Sequence, residues 1–153
     1  MSAKSEEPTL SWDEIGFLCE GMSFASRPMY EATRNITEEF SLGPRGAWIL
    51  GLIDNGHIYP LDITNVFRIG RSLISAELAR LTEAGLITSA KNPEDRRRTA
   101  LTLTPLGRDA RRRAKEQLAA LVLGRLKDYS REEMMLCARM LHDWRANGPS
   151  EGE

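Results

Sequence analysis

The sequence predicts a mainly α-helical protein with one small β-hairpin wing. Three observations support this prediction: apolar residues recur at helical spacing over most of the chain, a glycine-containing turn separates two short helical patterns near its middle, and two β-prone segments then flank a basic, turn-forming tip. Two short helices joined by such a turn form a helix-turn-helix unit. The predicted architecture is therefore a winged helix-turn-helix domain between helical arms.

The composition indicates a folded protein without a membrane span. Of the 153 residues, 41% are apolar, 21 are Lys or Arg and 22 are Asp or Glu, which gives a formal net charge of −1. No apolar run approaches the roughly 18 residues that a membrane span requires, and the polar, acidic N-terminus does not read as a signal sequence. We therefore expect a cytoplasmic protein with no membrane partner.

The near-neutral total conceals an uneven distribution of charge. Residues 1 to 67 hold 4 basic and 10 acidic side chains, residues 68 to 115 hold 12 and 5, and residues 116 to 153 hold 5 and 7, so the net charges are −6, +7 and −2. Such a distribution allows a protein to meet a polyanion with one face only. A solvated charged surface is the alternative interpretation, and the charge distribution alone does not distinguish it from a polyanion-binding face.

Two helices are predicted before the helix-turn-helix unit. A capping box at residues 11 to 14 begins the first helix, and apolar residues continue at steps of three or four as far as Phe40. Pro28 is expected to kink or divide this helix, because proline cannot donate an amide hydrogen. The second helix begins at Pro44, which suits a first helical position, and ends at Asn55-Gly56.

The helix-turn-helix unit itself occupies residues 60 to 83. Its first helix is predicted over 60 to 67 and its second over 72 to 83, with Ser72 as the N-cap of the second helix. Gly85 is well placed as the C′ glycine that ends this second helix.

The wing and the C-terminal arms follow. Residues 86 to 91 and 99 to 103 are the predicted strands, and residues 92 to 98 form the tip between them. Thr104-Pro105 is predicted to begin a long helix that runs to about residue 127. A second capping box at residues 130 to 133 begins the last helix.

Three short motifs resemble the MarR family of bacterial transcriptional regulators. They are Gly-Leu-Ile at 85 to 87, Asn-Pro-Glu-Asp-Arg-Arg at 92 to 97 with its Asp-x-Arg pair, and Leu-Thr-Pro-Leu-Gly at 103 to 107. The resemblance extends over about residues 12 to 146. It implies a winged-helix homodimer that binds pseudo-palindromic double-stranded operator DNA, usually as a repressor released by a small ligand or by thiol oxidation.

The domain organisation follows from the elements and the resemblance together. It is a flexible N-terminal tail over 1–11, an N-terminal dimerisation and effector helix over 12–43, a winged helix-turn-helix DNA-binding domain over 44–104, C-terminal dimerisation helices over 105–147, and a flexible tail over 148–153. The arms present more apolar length than the central domain can cover, so burial against a second copy is expected. A compact monomeric bundle is the alternative.

The second helix of the helix-turn-helix unit matches the family's recognition helix. The side chains expected to face the major groove are Arg71, Ser72, Leu73, Ser75 and Ala76, with Ile74, Leu78 and Leu81 packed inward. Ala76 departs from the family pattern and Glu77 is unfavourable toward phosphate, so base readout is expected to be modest, with Leu73 and Ala76 available for thymine methyl groups. Arg68 and Arg80 are candidates for phosphate contact.

In the wing, Arg97 matches the family arginine that enters the minor groove. A narrow minor groove concentrates negative potential, which favours a guanidinium group. Asp95 matches the acid that orients the loop and this arginine by ion pairing. Lys91, Arg96 and Arg98 are expected to contact the DNA backbone. One or two of the three arginines at 111 to 113 are expected either to reach DNA or to pair with acids on the arms.

The resemblance places an effector pocket between the DNA-binding domain and the arms. Its expected apolar wall consists of Met22, Ser26, Met29, Trp48 and Leu52, and its expected partners for a carboxylate or a phenolate are Arg27, Arg45 and His57. An aromatic or phenolic ligand is thus the predicted effector. Ordinary core packing is the alternative explanation for the same residues.

Other inputs and other functions are alternatives to a ligand-released regulator. Cys19 lies in a stretch similar to that of the family's peroxide-sensing branch, although Ser23 and Thr33 stand where activating tyrosines are usual, and Cys137 is expected to serve for packing. Two histidines are too few for an evident metal site, and no nucleophile-base pair or phosphate loop indicates an enzyme or a cofactor. A winged-helix protein-interaction module is the alternative of another class.

Overall fold

The computed structural model describes residues 9–146, which form eight helices and one two-stranded antiparallel sheet. The helices are α1 (Trp12–Phe24), α2 (Arg27–Ala32), α3 (Arg34–Glu39), α4 (Gly46–Asp54), α5 (Pro60–Phe67), α6 (Arg71–Glu83), α7 (Pro105–Arg125) and α8 (Arg131–Ala146), and the strands are β1 (Ile87–Lys91) and β2 (Thr99–Leu103). The predicted fold class is confirmed. Residues 1–8 and 147–153, which include most of the two predicted tails, lie outside the described residues. Within residues 9–146, no helix is both long and apolar enough to cross a membrane.

The first predicted helix is divided into three. Ala25 and Ser26 separate α1 from α2, which carries Pro28 in its first turn, as the proline leads one to expect. A second break, which the periodicity did not indicate, occurs at Thr33. The hydroxyl of this buried threonine donates to two carbonyl groups of α2 at 3.4 and 3.3 Å, a contact that competes with regular helix geometry.

The helix termini follow the predicted caps with two exceptions. Both capping boxes are confirmed, since Ser11 and Ser130 each exchange hydrogen bonds with the glutamate three residues later. The start predicted at Pro44 is wrong, because α4 begins at Gly46 after a turn. Ser72 is not an N-cap, because α6 begins one residue earlier, at Arg71, and is preceded by Gly70, which offers no side-chain oxygen.

The core lies where α4, α6, α7 and the base of the hairpin meet. Ile74, Leu78 and Leu81 of α6 are buried, as the sequence predicts. They belong to a buried cluster whose other members are Ile36, Ala47, Ile49, Leu50, Ile53, Ile63, Leu86, Ile87, Leu101, Leu103, Ala110 and Ala114. Burial of these side chains fixes α6 with one face inward and the other outward.

One junction joins α6, the hairpin and α7, and we call Gly85, Leu86, Thr104 and Gly107 the wing junction. Gly85 has φ +71°, and the Leu86 amide donates to the carbonyl of Leu81 at 3.0 Å, so α6 ends in a Schellman motif around the predicted glycine. The hydroxyl of Thr104 donates to the Gly85 carbonyl at 2.6 Å and accepts from the Gly107 amide at 3.0 Å. The end of α6 and the start of α7 are therefore held together across the base of the wing.

The outer surfaces of the arms carry large apolar side chains that the single chain leaves exposed. Those on α1 are Trp12, Phe17, Leu18 and Phe24, and those from the end of α7 onward are Val122, Leu123, Leu126, Tyr129, Met135, Leu136, Met140, Leu141 and Trp144. Phe17 is 82% exposed and Trp144 is 64% exposed. Of the apolar stripe predicted for the first helix, Ile36 is buried in the core.

Substitution of Gly107 by alanine is expected to lower the free energy of unfolding by about 1–3 kcal/mol, the usual range for overpacking. A β-carbon at this position would overlap the carbonyl oxygen of Leu86, which is rigid backbone at the wing junction. Urea denaturation followed by far-ultraviolet circular dichroism measures the change.

Gly124→Ala is the matched control on the same helix. A β-carbon there meets nothing within 4 Å, so stability is expected to stay constant or to rise by at most about 1 kcal/mol. Equal denaturation midpoints for the two variants would contradict the structural role of Gly107.

Candidate functional site

The structure places the predicted reading face of α6 in solvent. The turn before α6 contains Arg68, which adopts the left-handed conformation (φ 51°, ψ 43°). The backbone amide of Arg68 donates a hydrogen bond to the carbonyl of Thr64 and so ends α5. The exposed residues on the N-terminal half of α6 are Arg71, Ser72, Leu73, Ser75 and Ala76. All five predicted groove-facing side chains therefore lie on the surface of the helix opposite its buried residues.

Glu77 does not lie on this face, which corrects the prediction that it opposes phosphate there. Its side chain is buried against Gly43, in the loop before α4, where a β-carbon would collide with the carboxylate. One carboxylate oxygen accepts a hydrogen bond of 2.7 Å from Arg80, whose side chain is half exposed. Arg80, predicted to be a phosphate clamp, thus has part of its guanidinium group committed within the protein.

The wing is a regular hairpin with a self-bonded tip. β1 and β2 pair antiparallel from Ile87 opposite Leu103 to Lys91 opposite Thr99, as predicted. At the tip, the backbone amide of Asn92 donates to the backbone carbonyl of Arg98 at 2.9 Å. The backbone amide of Arg98 donates in turn to the backbone carbonyl of Asp95 at 3.0 Å. These bonds give the tip a defined backbone shape.

The expected ion pair between Asp95 and Arg97 is absent from the described residues. Asp95 instead accepts a hydrogen bond of 3.1 Å from the backbone amide of Arg97, a side-chain turn of the kind that aspartate forms two residues ahead. Asp95 therefore shapes the loop, as predicted, but by bonding the backbone. The side chains of Lys91, Arg96 and Arg97 are exposed and have no ion pair within residues 9–146.

Tyr59, which the sequence analysis missed, contacts the wing from outside the hairpin. Its hydroxyl accepts a hydrogen bond of 2.7 Å from the side-chain amide of Asn92, and its ring lies under the Arg98 guanidinium at 3.5 Å from carbon Cζ to the ring centroid. Arg98 is thus stacked on an aromatic ring as well as exposed. An aromatic residue directly before Pro60 was the available signal, but nothing in the sequence indicates that this position faces the tip.

The three consecutive arginines of α7 all pair with acids, one of the two predicted outcomes. Arg111 lies 3.3 Å from Asp54, and Arg113 makes bonds of 2.7 and 3.1 Å to Glu39. Arg112 pairs with two acidic neighbours on α7 itself. These contacts connect α7 to α4 and to the end of α3 and remove three cations from the freely available charge.

A cavity of about 570 Å³ lies between α2, α4 and the helical arms. Its lining includes Ser26, Met29, Trp48 and Leu52 of the predicted effector pocket, together with Tyr30, Gly51, Asn55, Val66, Phe67, Arg111, His142 and Arg145. The rings of Tyr30 and Trp48 meet edge to face at 6.0 Å between centroids. The indole N–H of Trp48 is buried and has no hydrogen-bond partner among the described residues.

The structure separates the other four predicted pocket residues from this cavity. Arg27 lines a neighbouring groove of about 500 Å³ that shares Ser26 and Tyr30 with the cavity and also contains Arg34. Met22 lines a different groove, between α1 and α8. Arg45 and His57 are not among the lining residues of the cavity or of the neighbouring groove.

Both cysteines are exposed. Cys19 lies on α1. Cys137, which the sequence predicts to pack on an apolar helix face, lines the groove between α1 and α8 that the single chain leaves open. Within residues 9–146, no group of three or more His, Cys, Asp or Glu side chains is arranged to hold a metal ion.

Comparison with known proteins identifies the fold. Residues 57–107 match a family described as "Winged helix DNA-binding domain". No curated protein sequence matches the chain significantly.

Solved structures match most of the chain. A MarR transcriptional regulator from Methanosarcina mazei Go1 is 15% identical, with a TM-score of 0.73 over 87% of this chain and 96% of its own. CouR from Rhodococcus jostii RHA1, bound to p-coumaroyl-CoA, is 22% identical, with a TM-score of 0.71 over 92% and 96%. BpsR from Bordetella bronchiseptica, whose DNA binding is regulated by 6-hydroxynicotinic acid, is 15% identical, with a TM-score of 0.67 over 93% and 99%. The predicted resemblance is thus confirmed for the fold.

Replacing Arg113 by glutamine is expected to raise the pKa of Glu39. The hydrogen bonds from Arg113 hold the pKa of this carboxyl below its ordinary value, so the stabilisation by the pair is present above the ordinary carboxyl pKa and is lost as the pH falls through the lowered value. Carbon-13 NMR titration of the Glu39 carboxyl measures the shift.

Arg139→Gln, which changes an exposed arginine of α8, is the control and should leave the Glu39 titration in place. An unchanged Glu39 pKa in Arg113→Gln would show that the two side chains do not pair in solution.

Proposed function

We propose that this chain, a winged-helix DNA-binding protein with the fold of the MarR-family regulators, is a homodimeric transcriptional repressor that binds pseudo-palindromic operator DNA and is released by a small ligand. The observation that carries the proposal is the combination of an outward-facing α6 and a basic, shaped wing tip on one winged-helix domain. A helix with a free N-terminal face fits the major groove, and an exposed arginine at a hairpin tip fits the adjacent minor groove.

The charges that remain free favour this orientation on DNA. Arg97 has an exposed guanidinium group with no ion pair among the described residues and is assigned to the minor groove, and Arg96 and Lys91 are assigned to flanking phosphates. Arg68, exposed in the turn before α6, is a further phosphate contact. Each neutralised phosphate contributes about 0.9 to the slope of log affinity against log salt concentration for B-form DNA.

Base readout by α6 is proposed to combine polar and apolar contacts. Arg71, Ser72 and Ser75 can hydrogen-bond to base edges, whereas Leu73 and Ala76 can contact thymine methyl groups. Leu73 is 56% exposed, so its side chain is accessible for such a contact.

Dimerisation is proposed through the arms, because α1, the end of α7 and α8 expose a nearly continuous series of large apolar side chains. A two-fold axis through these arms would place two copies of α6 on successive major grooves, about 34 Å apart along the duplex. The expected operator is correspondingly pseudo-palindromic.

The proposed ligand is an aromatic anion with a second, strongly anionic part. The cavity combines aromatic walls with His142, Arg145 and the Trp48 N–H, which has no hydrogen-bond partner among the described residues, and these groups suit an aromatic body with a carboxylate or phenolate. The adjoining groove adds Arg27 and Arg34, neither of which has an ion pair within the described residues, and guanidinium groups suit phosphate. CouR binds p-coumaroyl-CoA, a ligand with both parts, so an aromatic acyl thioester is the proposed class.

Substitution of Arg97 by alanine is expected to weaken binding to a labelled duplex from upstream of the protein's own gene by roughly tenfold or more, because a charge-assisted contact contributes about 1.5–3 kcal/mol. Fluorescence anisotropy at two salt concentrations measures the affinity and the salt slope. A protein-interaction module would show no salt-dependent DNA binding at all.

Arg139→Ala on α8 is the control, since it removes an equal charge far along the chain from the wing. Sedimentation velocity on all three proteins checks that the dimer is retained. Equal affinities for the Arg97 and Arg139 variants would contradict the assignment of the wing.

For the ligand site, Arg145→Ala is expected to weaken binding of both p-coumaroyl-CoA and 6-hydroxynicotinic acid by roughly tenfold, because the phenol oxygen of the first probe and the carboxylate of the second would each accept a hydrogen bond from Arg145 in the cavity. Arg34→Ala is expected to weaken binding of the thioester alone, because only that probe has phosphates to reach the groove. Isothermal titration calorimetry measures both affinities.

Arg139→Ala again serves as the matched control on α8. The ligand proposal fails if neither probe binds the parent protein at millimolar concentration, or if Arg34→Ala affects both probes equally.

A further inference from the structure

The tip of the wing is held from outside the hairpin by one side chain. Asn92 and Arg98, at the two ends of the tip, both contact Tyr59, which precedes α5 and lies 33 positions before Asn92 in the sequence. Within residues 9–146, all other recorded hydrogen bonds of residues 92–98 join two residues of the tip itself. Tyr59 thus connects both ends of the tip to a part of the domain outside the hairpin.

The same segment also contacts the middle of the hairpin. The amide of Leu101, in β2, donates a hydrogen bond of 2.8 Å to the carbonyl of Ile58. Residues 58 and 59 therefore contact the hairpin both within β2 and at its tip. These contacts add to the core packing of Ile87, Leu101 and Leu103, and the contact at the tip is the one farthest from the core.

Tyr59 is in turn fixed to the helix-turn-helix unit. Its backbone carbonyl accepts bonds from the amides of Asp62 at 3.0 Å and Ile63 at 3.3 Å in the first turn of α5, and the Ile63 side chain is fully buried. The ring of Tyr59 is therefore carried by α5, the helix that packs against α6. A displacement of α5 would move the wing tip through this ring.

We propose that Tyr59 is a positioning residue for DNA binding, which sets the angle of the wing and presents the Arg98 guanidinium to a backbone phosphate. A guanidinium group stacked on an aromatic ring keeps the N–H donors at its edge available, so the stacking orders Arg98 without consuming its hydrogen bonds. This inference rests on the proposed function, because it assigns Tyr59 a role in contact with DNA.

The restraint itself can be tested without DNA. In Tyr59→Leu, the amide hydrogens of Asn92 and Arg98, which are bonded within the tip, should exchange several-fold faster with solvent than in the parent protein, because the tip loses its outside contacts. The amide of buried Leu78 in α6 should exchange at the parent rate, which verifies that the fold is intact. Unchanged exchange at the tip would overturn the restraint.

The role in binding is tested by a double-mutant cycle between Tyr59 and Arg98, measured by fluorescence anisotropy on the upstream duplex. Tyr59→Leu should weaken binding by roughly tenfold in the parent but by about threefold or less when Arg98 is already alanine, because the stacked partner is then gone. Tyr59→Phe keeps the ring and loses the hydrogen bond to Asn92, so its affinity should lie between those of the parent and Tyr59→Leu. The same cycle can be measured with Tyr59→Phe if the leucine variant misfolds.

The same factor in both backgrounds would indicate a merely structural role and would overturn the proposal. Absence of salt-dependent binding by the parent protein would overturn the proposed function and, with it, the role of Tyr59 toward DNA. The exchange experiment distinguishes the two failures, because it reports on the contact of Tyr59 with the tip whether or not DNA binds.

Discussion

The close approach of α7 to the backbone of Leu86 is the constraint on which the rest of the structure depends. Gly107 permits it by having no side chain, and Thr104 secures it with one hydroxyl that donates to Gly85 and accepts from the Gly107 amide. The end of α6, the start of the wing and the start of the arm are fixed at this one point. The Gly-Leu-Ile and Leu-Thr-Pro-Leu-Gly motifs are therefore the two sides of a single packed contact, which explains why they lie 18 residues apart and still form one signature.

The positive charge of the central stretch is divided by internal pairing. Arg80 and the three consecutive arginines of α7 are engaged with carboxylates and serve mainly to connect helices. Of the cations in residues 68–115 that have no carboxylate partner among the described residues, most lie at the wing and around the start of α6: Arg68, Arg71, Lys91, Arg96 and Arg97 are exposed, and Arg98 is stacked on Tyr59. Arg108, in the first turn of α7, donates to the Leu103 carbonyl instead. The net charge of +7 thus overstates the charge available to a polyanion but places it correctly.

Local signals in the sequence predicted most helix and strand boundaries, whereas contacts between residues distant in the sequence could not be predicted from such signals. The capping serines, Gly85 and the cap that Thr104 forms on the Gly107 amide act on neighbours within a few positions, so these roles could be inferred from spacing, whereas the bond from Thr104 to Gly85 could not. The inward turn of Glu77 toward Gly43 and the contact of Tyr59 with the tip depend on the packing of elements more than thirty residues apart. Half of the predicted pocket residues line the observed cavity, because the break at Thr33 and the position of α8 decide which side chains face it.

The cavity takes part of its wall from α8, whose His142 and Arg145 reach it although α8 buries no residue of its own in the single chain. A wall formed by a weakly held helix exists only while something holds that helix. In the dimer proposed above, occupation of the cavity and coverage of the apolar side of α8 would both stabilise this wall, so each would strengthen the other by the same factor. The affinity of the proposed dimer for its ligand would then depend on the protein concentration.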